Sequence, residues 1–502
     1  MAASRPGHFT LRVFRGYLPA MSLLSPRLLS ALLMVSVAFA GANAFAEPAN
    51  MENAPPNFPY RDGDAVFVDF ERADYHLVYD FAAKTVTVES EITFNAPVGG
   101  YPIFDLVPDP RDVRLDDRAA DVAQVADPDD ASYLRIVGTK VAPGAHRLTM
   151  AHSLATNVEF RPNGVASAFW MTDLTDRHYL EQYLPSNLQF NQYPKTMRIE
   201  ITGAQGMPHL VRANGTIRNP SENVFEVKFP AYYSNASVFF HLTTVDAIPT
   251  TKFNYPSVDG RALPVEVYVV GNATLMAQYV ANTKAALADL EKDYGPFPHP
   301  KVIVYGNGPG GMEYAGATVS SPYALGHELF HSYNARGVMP ADGNSGWMDE
   351  AMSSWHDRHY ALRTTPGAPT KMAGHSAYFR ITDGDAYGKG TDFLAWIANR
   401  MDAEGKDFKG FLREYYRANM YHTDTTETLR RAMEIYSGLD LAKDFEVYVY
   451  GTLAAETTPK NSKWARASLA TCGSFSEVEK DERAMENPFH PRLTAESLRK
   501  LL

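Results

Sequence analysis

The chain has 502 residues, of which 45% are hydrophobic, 12% aromatic and 21% charged. That composition belongs to a folded soluble protein long enough for two or three cores, and it excludes disorder, collagen and a membrane bundle. A formal net charge of −11 excludes a nucleic-acid binder, which meets phosphates with a basic face.

Residues 1–46 differ from the rest. They carry Arg5, Arg12, Arg15 and Arg27 without an acid, then an apolar run from Leu28 to Ala40, then Ala44-Phe45-Ala46 before Glu47. A basic start, a short apolar stretch and an A-x-A site predict a secretory signal peptide. The run is too short to cross about 30 Å of hydrocarbon, so no stable membrane anchor is expected. Translation from either Met1 or Met21 accommodates this reading. Removing the four arginines takes the net charge from −11 to −15. The one cysteine, Cys472, has no partner for an internal disulfide, and the leader offers none for a lipid. A secreted or periplasmic protein is expected.

From Val66 to Val245 the chain reads as strands. Val86, Val88, Ile92 and Phe94 alternate with Thr87, Glu89, Glu91 and Thr93, and similar patterns run through Met197–Thr202 and Phe225–Phe229. Period-two patterning with turn residues between short strands predicts an antiparallel β-sandwich over residues 47–248. The character changes at Ile248-Pro249. Val265, Val267 and Val269 make a strand, and Met276, Tyr279, Val280, Leu287 and Leu290 share one face of a helix that Gly295-Pro296 ends. Lys301–Tyr305 is a further strand. After Pro322 the chain is mainly helical, with helices over 391–401, 408–420 and 426–436, so residues 249–502 form a mixed, helix-rich module.

The chemistry concentrates at His327-Glu328-Leu329-Phe330-His331. Residues four apart share a helix face, so both imidazoles reach one metal ion, while Glu328 projects where it can hold a water. Ser321-Pro322 predicts the start of that helix. A catalytic zinc site takes three protein ligands and keeps one position open. Eighteen residues beyond His331, a second helix starting near Gly346 carries Trp347-Met348-Asp349-Glu350-Ala351, and Glu350 is the candidate third ligand.

With these residues the chain resembles the gluzincin metallopeptidases, in particular the aminopeptidase N family, whose pattern is H-E-x-x-H, eighteen residues, then Glu. The resemblance implies an α+β fold in which a thermolysin-like, helix-rich zinc peptidase domain follows the sandwich. It implies one zinc ion per chain, held by His327, His331 and Glu350, with Glu328 as the proton-transferring base. Gly310-Gly311-Met312-Glu313-Tyr314 resembles the family's exopeptidase motif, with Tyr314 where Asn is usual. In it the glycine-rich edge admits the substrate backbone and Glu313 receives the terminal ammonium. Tyr387-Gly388-Lys389-Gly390 resembles the segment whose tyrosine stabilises the oxyanion, at a shorter spacing from Glu350 than in large family members.

Tyr294–Pro298 and the run from Asp444 to Thr452 extend the likeness, and Asn334–Pro340 resembles the glycyl aminopeptidase family instead. Too few residues follow Thr452 for the latter's C-terminal PDZ module or the former's helical domain, so a compact relative of both is expected. Glu181 and Gln182, in the strand-rich module, are candidates to assist at the substrate amine, or are structural polar residues. The function expected is an exported zinc aminopeptidase acting on peptides. The alternatives are an endopeptidase or epoxide hydrolase on the same site, or a non-catalytic peptide-binding protein.

Overall fold

The computed structural model describes residues 51–171, 181–245, 248–270, 273–307, 310–341, 344–378 and 381–454. The expected signal peptide, its expected cleavage site before Glu47 and Cys472 lie outside them. All described residues belong to one compact unit.

Residues before 248 build three sheets. Eight strands pair in one sheet whose centre is Lys195–Thr202, Asp69–Asp80, Thr85–Ala96 and Gly144–Ser153. Four strands form a second, with Gly164–Ala168, Phe240–Thr244 and His209–Ala213 adjacent. The alternation read from sequence has its physical counterpart here. Val86, Val88, Ile92 and Phe94 are buried together with Met197, Ile199, Phe225 and Val227, and the same core takes Val165, Val211 and Leu242 from the four-stranded sheet. A third sheet of five strands includes Phe58–Tyr60, Tyr101–Phe104 and Tyr133–Val137.

One expectation needs correction: the pairing is not all antiparallel. Lys195–Thr202 runs parallel to Asp69–Asp80, and Ala65-Val66 runs parallel to Tyr101-Pro102. Side-chain alternation reports which face is buried and is blind to the direction of the neighbouring strand.

A five-stranded sheet follows in the order Thr250–Pro256, Ala262–Val269, Val302–Gly306, Ala317–Ser320, Gly311–Tyr314. The middle pairings are parallel and the outer ones antiparallel. Gly311–Tyr314 is thus an edge strand folded back in a hairpin. The helix Ala273–Tyr294 buries Tyr279, Leu287 and Leu290 against this sheet and its neighbours. It stops at Gly295, whose φ of +94° is a left-handed conformation that glycine adopts without a Cβ penalty. Asn214 fastens the two parts of the chain, its amide donating to the Ser237 and Ala315 carbonyls at 2.7 and 2.8 Å.

Later helices span Leu325–Phe330, Trp347–Asp357, Lys389–Ala403, Phe408–Asn419, Thr426–Ser437 and Ala442–Tyr448. The long helices predicted after residue 390 are present. Between Arg358 and Asp383, however, the described chain is irregular, which the mainly helical reading did not anticipate. The fold is thus a mixed one of extensive sheets followed by helices.

Candidate metal centre

The His327 helix is shorter than its motif predicts. Ser321 accepts the Ala324 N–H at 3.2 Å, but that bond closes a preceding turn and the helix itself begins at Leu325. His331 is the residue after its last turn, with a still-helical φ of −57° and ψ of −18°. The one-face argument survives because it depends only on helical backbone from 327 to 331. The two rings stand 4.8 Å apart, centre to centre.

Glu350 comes from the helix Trp347–Asp357. Gly346, at its start, has no room for a side chain: a Cβ there would lie 2.6 Å from the Ile381 carbonyl carbon. The Glu350 carboxylate reaches both imidazoles. Its Oε2 lies 3.0 Å from His327 Nε2 and 3.8 Å from His331 Nε2. Donor atoms of His327, His331 and Glu350 fall within 4.8 Å of one another, all buried, and so do those of Glu313, Glu328 and His331.

Two carboxylates behind the imidazoles escaped the sequence reading. Asp357 Oδ2 stands 2.8 Å from His327 Nδ1, and Asp349 Oδ1 stands 2.7 Å from His331 Nδ1, where the Ser353 hydroxyl also approaches at 3.2 Å. Such partners hold the ring orientation and aim the other nitrogen forward. Their signal was spacing along one helix: Asp349 directly precedes Glu350, and Asp357 lies two turns beyond.

The electrostatics of the protein groups ask for a cation. Burial alone would pull His327 down, yet Asp357 and Glu350 push it well above an ordinary histidine. His331 is likewise drawn down by burial but carried up to about 9 by Asp349, Glu313 and Glu350. Burial pushes Glu328 up to about 8 while the two histidines draw it down. Glu350 is opposed by burial, but His331 and His327 hold it below the usual carboxylate value. His331 Nε2, buried, has no hydrogen-bond partner. Two imidazole nitrogens and one carboxylate oxygen, an orphaned nitrogen and surplus acid match the donor set of a three-ligand zinc site. The triad fits one zinc ion per chain.

The glycine-rich segment is explained by proximity. A Cβ on Gly311 would lie 2.8 Å from Glu328 Cγ, and closer still to its Cδ and Oε1. The strand edge and the base therefore touch, and only glycine leaves the carboxylate its place. Gly310, at φ +96°, turns the chain into that edge. Met312 is buried in the sheet. Glu313, on the other face, pairs with Arg336 at 2.6 Å. Tyr314 is fully buried, and its hydroxyl receives the Met171 N–H at 3.0 Å and donates to the Phe169 carbonyl at 3.3 Å. Tyrosine stands where Asn is usual because the side chain spans to the strand-rich part of the molecule.

Tyr387 is half-buried just before the helix Lys389–Ala403. Its carbonyl accepts from Thr391 and Arg358. That helix packs closely on the Glu350 helix, since a Cβ on Gly390 would lie 2.9 Å from that of Ala351. Tyr378, the other tyrosine nearby in sequence, donates to the Pro56 carbonyl at 3.0 Å and packs on Phe58 and Phe67. Glu181 and Gln182 line a small pocket with Phe169, Gln189 and Asn235. Glu181 belongs to neither of the two clusters around His331. Glu181 is buried, and its charge works against the burial that pulls Lys195 well below the ordinary lysine value.

No family model and no curated protein matches the chain in sequence. Solved structures do match it in shape. The M1 zinc metallopeptidase from Deinococcus radiodurans is 17% identical, covering 79% of this chain and 96% of that one with a TM-score of 0.56. Aminopeptidase A from Legionella pneumophila, in complex with aspartic acid, is 14% identical with a TM-score of 0.59, over 77% of this chain and 50% of that one. Leukotriene A4 hydrolase from Saccharomyces cerevisiae is 13% identical, covering 79% and 69% at a TM-score of 0.55. The likeness is one of fold. This chain shares the fold of these structures over most of its described length, with a His–His–Glu triad inside it.

Proposed function

We propose that the protein is an exported zinc-dependent aminopeptidase that removes residues from the N-termini of peptides. The observation that carries this reading is the convergence of two buried clusters on His331: the metal triad His327, His331 and Glu350, and the carboxylates Glu328 and Glu313. Zinc in such a triad supplies a Lewis acid for a carbonyl and lowers the pKa of water toward about 7.

The chain's own groups do the rest. Glu328 accepts the proton of the attacking water and returns it to the leaving amine, a role suited to a carboxylate whose burial raises its basicity. Glu313 receives the substrate's ammonium, which places the first peptide bond beside the triad. The edge strand Gly311–Tyr314 offers backbone groups to the peptide, with Gly310 and Gly311 allowing close approach. The Tyr387 hydroxyl donates to the oxyanion as the carbonyl becomes tetrahedral. Export rests on the basic start, the Leu28–Ala40 run and Ala44-Phe45-Ala46.

The architecture it shares with leukotriene A4 hydrolase keeps a second reading in view, a non-peptide hydrolase on the same centre. Turnover of unblocked peptides by the zinc-loaded protein, lost in Glu328→Gln, separates the two.

A further inference from the structure

Glu313 is already engaged. Arg336 Nη2 donates to its Oε1 at 2.6 Å, and the two side chains are only 2% and 9% exposed. Arg336 Nε, also buried, has no hydrogen-bond partner, so among the described residues this carboxylate is the acceptor that holds the guanidinium. The turn that delivers Arg336 is built for the purpose. Ala335 sits at φ +74°, a left-handed conformation that costs a residue with a Cβ. The Arg336 N–H donates to the His331 carbonyl at 2.9 Å and the Ala335 N–H to the Val338 carbonyl at 2.8 Å. The Asn334 amide donates to the Met348 and Asp349 carbonyls, both at 3.1 Å. The guanidinium is thus fixed to both metal-ligand helices, while its target lies on the edge strand. Burying a charge pair in this way is expensive, and a fold that retains one gains orientation rather than stability.

We infer that Arg336 is a positioning residue for the substrate's amine: it holds one oxygen of Glu313 so that the other is presented to the incoming ammonium. This rests on the reading of Glu313 as the amine anchor. The consequence is a carboxylate with half its capacity committed, whose pull on the ammonium depends on a neighbour 23 residues along the chain. Arg336 acts through Glu313, its side-chain partner among the described residues.

The test is a double-mutant cycle on zinc-loaded protein, reading KM and kcat for alanyl peptides with free and with acetylated N-termini. Arg336→Met raises KM for free peptides by about tenfold or more, the worth of one charge-assisted hydrogen bond, and changes kcat and zinc content less. Acetylated peptides are unaffected, and Arg336→Lys recovers part of the loss. In a Glu313→Gln background Arg336→Met has no further effect, because the group it positions is no longer charged. Calorimetric binding of the same peptides to the Glu328→Gln protein gives the parallel readout without turnover. Should Arg336→Met fold poorly, Arg336→Lys and the doubly neutral variant still close the cycle. An unchanged KM for free peptides, or an effect that persists without Glu313, overturns the inference while leaving the aminopeptidase reading intact. A wild-type protein that shows no preference for free over acetylated peptides overturns both.

Discussion

Gly311→Ala is a one-carbon change that tests how the edge strand and the base share space. The new Cβ would stand 2.8 Å from Glu328 Cγ and nearer to its carboxylate, where ordinary contact between carbons needs about 3.5–4.0 Å. The carboxylate must therefore retreat by roughly 1 Å or more, or the strand must lift by as much. A misplacement of about 1 Å at a reacting group costs on the order of 100-fold, within the 100- to 10,000-fold that general acid–base catalysis supplies. Gly311 has an ordinary backbone conformation, since it is absent from the positive-φ residues, so alanine introduces no backbone strain. The metal ligands are untouched. We expect kcat to fall by about 100-fold with zinc content and melting temperature near those of the wild type, read by peptide turnover, metal analysis and calorimetry on one preparation. Full activity in Gly311→Ala would show that Glu328 is not held where the chemistry needs it, and loss of zinc would show that the contact supports the ligands instead.

The remaining expectations concern the imidazole partners, acid stability and the oxyanion. Asp357→Ala removes the acceptor 2.8 Å behind His327 and should weaken zinc binding about 10- to 100-fold, measured by chelator competition; unchanged affinity would leave Asp357 a surface acid. His152, His241 and His299 are held down to about 4, 3 and 3 chiefly by burial, so all three are neutral in the fold. Their contribution is complete above about pH 6.5 and is lost as pH falls toward those values, on the order of 5 kcal/mol in total by pH 5. Between pH 6.5 and 5 this loss is partly offset by Asp69 and Asp424, which burial raises to about 6 and 7, so melting temperature should fall gently, and a rise over that window would mean that these rings protonate freely in place. Tyr387→Phe should cost about 100- to 1,000-fold in kcat with little change in KM, zinc or melting temperature; a lower melting temperature with normal kcat would mark a packing aromatic.

What was legible in the sequence was whatever a short local pattern encodes. The H-E-x-x-H run and the helix start at Gly346 are such patterns, and the positions they imply for His327, His331 and Glu350 come together in space. The segment at Gly310–Tyr314 carried its meaning in composition, and the contact between Gly311 and Glu328 supplies the physical reason. The rest depended on pairings that no local window contains. Asp349 and Asp357 are acids on a helix, and only the rings behind which they stand distinguish them from solvated ones. The bond from Arg336 to Glu313 joins a turn to an edge strand. The parallel pairing of Lys195–Thr202 with Asp69–Asp80 joins segments more than 100 residues apart. Between Arg358 and Asp383 side-chain bonds replace regular structure, such as those of Thr370 to Asp385 and Gly374 to Asn344, and periodicity has nothing there to report.

Metal content and peptide turnover, measured together on wild type and Glu328→Gln, test the account most directly. The account predicts about one zinc per chain in both proteins, because the three ligands are intact in each. It predicts release of N-terminal residues by the wild type and none by the variant, because only the proton carrier is gone. Wild-type protein that holds no zinc yet cleaves peptides in the presence of chelators would contradict it, and so would a Glu328→Gln variant as active as its parent.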